Sequence, residues 1–248
     1  MATPEASIAM SMQNGHGQDA CLTQGYLVQS GPGEAAFNMA LDEALLEAMP
    51  WLGGPVLRFY SWTEAAASFG YFQKFADVER ITSLRPLVRR PTGGGIVAHD
   101  RDWTYSAVFP AGHGWYGLKA IESYRRIHEW LQQAFARLNV STVLAPRASK
   151  AGAGECFAGN EQFDLLWQGR KIAGAAQRRT RNGLLIQGSV QPPEVAGAQR
   201  SAWENAMADS APRELSGWVD LMLEERLRRR AEELRQEKYS QCWFNERR

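Results

Sequence analysis

Two stretches of the chain concentrate residue types that do chemistry. The first is Arg89-Arg90-Pro91-Thr92-Gly93-Gly94-Gly95, followed four residues later by His99-Asp100. Three consecutive glycines leave the backbone bare and weaken any strand that contains them. That cost is reasonable where a ligand lies against exposed N–H groups, which bind carbonyl, carboxylate or phosphate oxygens. Arg89 and Arg90 would complement an anionic group. The run lacks the GKS/T ending of a Walker loop and does not open a helix as GxGxxG does. A glycine-rich bend is the competing account. His99 can donate to a ligand oxygen, with Asp100 holding its ring, although a capped turn explains an isolated His-Asp pair better.

The second stretch is Gly169–Gln177, GRKIAGAAQ. At a strand period of two, Lys171, Ala173, Ala175 and Gln177 share one face, and Ile172, Gly174, Ala176 and Arg178 the other. Lys171 is then expected beside two methyl-sized neighbours, with room for a substrate and with Gly174 admitting close backbone approach. A partly desolvated lysine donates hydrogen bonds, neutralises a developing anion or gives up its proton. A surface lysine beside the Gln168-Gly169 turn is the alternative. Cys156 lies in AGAGECFAGN, a glycine-rich loop of the kind that exposes reactive side chains. Lys150 or Lys171 nearby would favour its thiolate. An incidental loop cysteine is the competing reading. Cys21 and Cys242 have no such setting, and His16, His113 and His128 gain no role, His128 reading as a core histidine.

Composition narrows the class. A chain of 248 residues makes one large domain or two small ones. With 44% hydrophobic and 22% charged residues it is not wholly disordered. A net charge of +1 gives no argument for nucleic-acid binding. Lysine is scarce beside arginine, 5 against 23, so a lysine in a suggestive place is poor surface filler. Three cysteines without a CxxC pair give neither a disulfide framework nor a zinc site. No run approaches the roughly 20 apolar residues of a membrane span. The N-terminus lacks the basic and apolar regions of a secretory signal. A reducing cytoplasm is the expected compartment.

The elements that must position these residues follow from periodicity. Gly33 to Met49 is helical, with Phe37, Leu41, Leu45 and Met49 on one face, Asp42, Glu43 and Glu47 on the other, and Pro50 as its stop. Pro55–Trp62 is strand-like. Ala65–Gln73 is a shorter apolar piece broken by Gly70, and 79–82 a short helix. Strands at Pro86–Arg90, Ile96–Ala98 and Thr104–Phe109 surround the glycine run. Leu118 to Leu138 is the second long helix, on the spacing of Ile121, Tyr124, His128, Leu131, Phe135 and Leu138, with Asn139 ending it. Phe163 to Gln191 reads as a three-stranded antiparallel meander with a tight turn at Asn182-Gly183. Pro212 is expected to open a long helix through Lys238, whose Glu and Arg blocks form a solvated face. The fold expected is α+β, with a mixed, largely antiparallel sheet flanked by helices. Residues 1–20 read equally as a flexible tail or as a start-site artefact, 21–195 as one folded domain and 196–248 as a helical C-terminal extension.

Residues 34–49, 55–73, 87–109 and 163–190 together resemble the lipoate–protein ligase A/octanoyltransferase catalytic domain, which is related to biotin–protein ligase. The resemblance covers roughly residues 25–195 and rests on two motifs, RRxTGGGxVxHD and GRKIAGxAQ. It implies the biotin/lipoate-ligase core fold. Arg89, Arg90, Gly93, Gly94 and Gly95 would line an acyl pocket, and His99 would lie near the reactive head. Lys171 would contact the acyl carbonyl or acyl-adenylate, and Gly174 and Ala175 would let the chain pass.

The family carries two chemistries. Ligases use ATP and Mg²⁺ to form lipoyl-AMP and then acylate a lysine of a carrier domain. Octanoyltransferases take octanoyl from acyl carrier protein through a cysteine thioester, without a cofactor. Cys156, fifteen residues before Lys171, resembles the cysteine of the transferase branch related to ligase A. Asp102-Trp103 likewise replaces the Gly-Asn usual in ligases, whereas the full Gly93–Gly95 run is ligase-like. The resemblance thus implies an octanoyltransferase with catalytic Cys156 and Lys171. Its partners would be octanoyl-acyl carrier protein and the lipoyl domains of glycine cleavage H protein or 2-oxoacid dehydrogenase E2, with no nucleic acid and no membrane. An ATP-dependent lipoate–protein ligase is the first alternative, and a non-catalytic paralogue that binds carrier domains the second.

Overall fold

The computed structural model describes residues 23–149, 159–194 and 199–247. The expected tail at 1–20, together with Cys21, Lys150 and Cys156, lies outside the described residues. The described chain runs β1 (Thr23–Gly33), α1 (Ala35–Leu52), β2 (Val56–Trp62), β3 (Ala66–Phe69), α2 (Phe75–Ile81), β4 (Leu87–Arg89), β5 (Val97–His99) and β6 (Trp103–Pro110). It continues with α3 (Ala120–Arg137), β7 (Val143–Leu144), β8 (Leu165–Trp167), β9 (Arg170–Thr180), β10 (Gly183–Val190), α4 (Arg200–Asp209), β11 (Leu215–Asp220), α5 (Glu225–Leu234) and α6 (Cys242–Asn245).

Eight strands form one sheet in the order β11-β1-β2-β6-β10-β9-β8-β7. β1 runs parallel to both β11 and β2, and every other pairing is antiparallel. The class is therefore α+β with a mixed, largely antiparallel sheet, as expected. The central strands are buried on both faces, so their sequences are apolar almost throughout. Leu57 and Phe59 of β2 pack with α3 and α4, whereas Val56 and Tyr60 pack with α1 and α5. A second sheet, β4-β3-β5, has its own small core of Ala67, Phe69, Val78, Leu87 and Ile96. No helix among the described residues is long and apolar enough to cross a membrane.

Three sequence expectations need correction. Pro50 removes one intrahelical bond without ending α1; the helix runs to Leu52 and stops at Gly53, which takes a left-handed conformation and donates to the Met49 carbonyl. Asp42 does not sit on a solvated face but is fully buried. The long helix expected from Pro212 is instead β11 followed by α5, because β1 would otherwise be an open edge and Leu215–Asp220 pairs along it. The segment after Pro192 also supplies α4, whose Trp203 is fully buried against Phe59 and Trp103.

The Asp42 carboxylate ties the layers together. Oδ1 accepts from Arg58 Nη1 at 2.7 Å and Ser106 Oγ at 2.7 Å. Oδ2 accepts from Gln187 Nε2 at 2.7 Å and Tyr60 OH at 3.1 Å. Both members of the Arg58–Asp42 ion pair are completely buried, so removing one strands the other charge in the core. Replacing Asp42 by Ala is expected to destabilise the fold by about 3–5 kcal/mol, read as a lowered urea midpoint in equilibrium denaturation.

Candidate functional site

Between the small sheet and the β9–β10 part of the large one lies a cavity of about 510 Å³. Its walls include Met39 of α1, Ser68 of β3, Arg90, Gly94 and Gly95, Tyr124 of α3, and Lys171, Gly174 and Ala175 of β9. Two of the motifs singled out in the sequence, some eighty residues apart, thus border one space.

Lys171 reaches the cavity by a route that strict alternation does not give. Leu165 and Leu166, adjacent in β8, pair with Ala173 and Lys171 of β9. Ile172 is the extra residue of a bulge, which shifts the phase of the strand. Ile172 and Ala173 both enter the core, and Gln177 turns to bond Ser123 Oγ and the Ala120 carbonyl. The expectation that Lys171 shares its face with Ala173 and Gln177 is therefore wrong; it shares the cavity wall with Gly174 and Ala176. Its Nζ lies 2.7 Å from Asp164 Oδ2, with the Lys171 side chain 17% exposed and Asp164 not at all. Tyr124 OH donates to Asp164 Oδ1 at 2.5 Å, and the Glu161 N–H donates to Oδ2 at 2.6 Å. Burial, and then the neighbouring Asp164 charge, push the Tyr124 phenol well above its ordinary value, so it remains a donor.

The glycine run forms the facing wall. Arg90 is 5% exposed and donates to the Gly93 and Gly95 carbonyls, both at 2.7 Å. Burial pulls its guanidinium down to about 10. Gly94 has φ +87°, and a side chain there would meet Arg90. The three glycine N–H groups donate to no acceptor among the described residues, which leaves them for a ligand oxygen. Gly93 itself is not part of the cavity lining, unlike Gly94 and Gly95.

Arg89 is turned elsewhere. Its guanidinium donates to the carbonyls of Tyr71, Gln73, Phe244, Asn245 and Arg247. It clamps the C-terminal segment to the loop after β3 and does not line the cavity. Nor does Asp100 hold His99. Asp100 is exposed, and Asp102 Oδ2 lies 2.8 Å from His99 Nδ1. The strand β5 ends at His99, so the chain must turn before a side chain can point back, and Asp102 is the residue on the returning arm.

Asp164, Tyr124, Asp102 and Ser68 were missed in the sequence. Asp164 left a signal: a carboxylate in the apolar run FDLLW must be partnered if it is buried. Cys156 lies outside the described residues. The residues on either side of its segment, Ser149 and Asn160, exchange backbone hydrogen bonds of 2.8 and 3.1 Å and border the cavity.

Comparison with known proteins follows this geometry. The lipoyl protein ligase A/B catalytic domain matches residues 34–191. Octanoyltransferase LipM of Bacillus subtilis is 37% identical over 180 residues, covering 66% of this chain and 63% of that protein. Octanoyltransferase LipM of Staphylococcus aureus is 35% identical over 176 residues, covering 66% and 64%. The chain thus spans less than two thirds of the length of these curated relatives. Among solved structures, lipoate-protein ligase A bound with ATP superposes with a TM-score of 0.72 at 22% identity, over 90% of this chain and 98% of that one. A bi-partite lipoate protein ligase of Thermoplasma acidophilum, described with its E2 lipoyl domain, gives 0.69 at 21% identity, over 90% and 96%. At that identity the structures establish the fold.

Two outcomes test the site. A Cβ on Gly174 would stand 2.9 Å from Lys171 Nζ and 3.2 Å from Asp164 Oδ1. Gly174→Ala should displace the flexible lysine end without unfolding the strand. The expected readout is faster acylation of Lys171 by an amine-reactive ester, mapped by peptide mass, with little change in melting temperature. The second concerns His128, packed against the Tyr124 ring. Burial holds its imidazole down to about 4, against an ordinary value near 6.5. The unfolded chain takes up that proton first, so the stabilisation is whole above pH 6.5 and drains as pH falls towards 4, by about 3 kcal/mol. Urea midpoints followed between pH 7 and 4 should fall less steeply in His128→Gln.

Proposed function

The chain belongs to the lipoyl protein ligase A/B catalytic domain family, and from that premise we propose that it is an octanoyltransferase acting in protein lipoylation. The observation that carries this reading is the Asp164-anchored Lys171 on a cavity also bordered by Gly94 and Gly95, whose N–H groups have no acceptor among the described residues. The LipM relatives supply the transferred group by analogy. The acyl chain would lie along Ile96, Ala175 and Ala176, and its thioester carbonyl would sit at Lys171.

Cys156 is the nucleophile. Ser149 and Gly159, the described residues that bound its segment, border the cavity. Its thiolate attacks the thioester carbonyl of octanoyl-acyl carrier protein, and Lys171 with backbone N–H groups stabilises the oxyanion. The carrier's thiol leaves with a proton. The ε-amine of a lipoyl-domain lysine, on a glycine cleavage H protein or 2-oxoacid dehydrogenase E2, then attacks the enzyme thioester. An amide forms, and Cys156 is released. Asp164 and Tyr124 act through Lys171 by fixing its position. No metal or organic cofactor enters this scheme.

Incubation with octanoyl-acyl carrier protein in the absence of ATP should add one octanoyl group to the intact mass. Cys156→Ala should lose the adduct, and Lys171→Ala should slow its formation by roughly 100-fold or more. A wild-type adduct that peptide mapping places on no peptide containing Cys156 overturns the covalent relay. Lipoate-dependent release of pyrophosphate from ATP would instead assign the ligase chemistry.

A further inference from the structure

At the cavity wall beside the glycine run, three side chains form a relay that the transfer scheme does not use. Ser68 Oγ lies 2.7 Å from His99 Nε2, and His99 Nδ1 lies 2.8 Å from Asp102 Oδ2. Arg90 Nη1 donates to the same Ser68 Oγ at 3.2 Å. The trio suits one tautomer of His99. Asp102 also accepts from Thr104 and Ser189, and as a carboxylate it takes Nδ1–H from His99. In the tautomer with its proton on Nδ1, Nε2 accepts, and Ser68 is placed to donate its hydroxyl proton to it. The ring is held in this plane by Trp62, stacked at 3.8 Å and 17°. A serine hydroxyl beside a carboxylate-oriented imidazole is the geometry that activates an oxygen nucleophile.

Two further features suit acyl chemistry at Ser68. Ser68, His99, Arg90, Gly94 and Gly95 all border the cavity. Arg90, itself buried, donates to the neutral oxygens of Ser68, Gly93 and Gly95, so it is a donor placed where negative charge would develop on an acyl oxygen beside Ser68.

We propose that Ser68, His99 and Asp102 form a second acyl-accepting centre in the same cavity, which hydrolyses medium-chain acyl thioesters or esters. Ser68 Oγ bonds to the carbonyl carbon while its proton passes to His99 Nε2. The C–S or C–O bond breaks, and the leaving thiol or alcohol takes the proton from His99. Water then attacks the seryl ester through the same relay and releases the carboxylic acid. The proposal shares with the transferase reading only an acyl chain in the cavity, and it needs neither Cys156 nor a carrier protein.

The experiment uses octanesulfonyl fluoride on the full chain, wild type and Cys156→Ala, followed by intact mass and peptide mapping. The expected result is one octanesulfonyl group on Ser68 in both proteins, with fluoride released. Asp102→Asn should slow labelling roughly 100-fold while the melting temperature stays within a few degrees. Hydrolysis of p-nitrophenyl octanoate should fall in step, and labelled protein should show none. The proposal is overturned if Ser68 carries no adduct in the folded protein, or if labelling proceeds undiminished in His99→Ala, in which case the trio is a structural hydrogen-bond network. Failure of octanoyl transfer with Ser68 still labelled would count against the transferase reading alone.

Discussion

The buried Asp42 carboxylate is the constraint on which the rest of this structure depends. A fully desolvated carboxylate persists only with its charge paired and its lone pairs occupied. Here the occupants come from β2 (Arg58, Tyr60), β6 (Ser106) and β10 (Gln187). Arg58 is in turn held by the Asn38 carbonyl, Asn38 Oδ1 and Ser30 Oγ. One helix is thereby locked in register against three strands. The lock extends to the cavity, because Gln187 uses its other end to accept from Thr92 Oγ1 at 2.8 Å. Thr92 immediately precedes the glycine run. The bare backbone that borders the cavity is thus anchored through one amide to the centre of the core.

A second anchor reaches the same loop from the opposite side. Arg89 donates to three carbonyls of the C-terminal segment, and its own N–H donates to Asn245 Oδ1 at 2.8 Å. The last turn of the described chain therefore acts as a brace for β4, the strand that delivers Arg90 and the glycines. This explains why the two neighbouring arginines differ in fate. Side chains alternate along a strand, so one of the pair faces the brace and the other the cavity. Three glycines alone would be floppy; pinned at Arg89, Thr92 and Arg90, their N–H groups can be held in place without side chains of their own.

How much of this was legible in the sequence depended on whether the signal was local. The α1 and α3 stripes and the Asn182-Gly183 hairpin were readable because their periodicity and turn chemistry are carried by adjacent residues. The cavity's motif residues were readable as composition that a strand would otherwise avoid. The partners were not. Asp42 fits the polar face of a helix until β2, β6 and β10 arrive to cover it. Lys171 fits a simple alternation until β8 forces a bulge at Ile172. Asp100 and Asp102 are equivalent candidates for His99 until the turn geometry after β5 chooses between them. The Pro212 segment reads as helix because its apolar residues do not declare that β1 has an unpaired edge. In each case the deciding fact is a contact between segments far apart in the chain, which neither propensity nor period encodes.

Two buried carboxylates behind the cavity wall, Asp164 and Asp102, fix the polar side chains of a wall built largely of backbone and small side chains. Lys171 is flexible by nature, with four rotatable bonds, and would lose much entropy on reaching a fixed position. Asp164 stops it, and Asp164 is itself stopped by Tyr124 OH and the Glu161 N–H. His99 would be free to flip its ring, and Asp102 with Trp62 prevents that. Each working group is therefore oriented by a carboxylate that carries its own donors, so orientation is set before any substrate arrives. Gly174 belongs to the same logic. Its missing side chain is the space that the Lys171 ammonium occupies, so the smallest residue in the strand is the one that lets the cation fold back over the sheet to meet its partner.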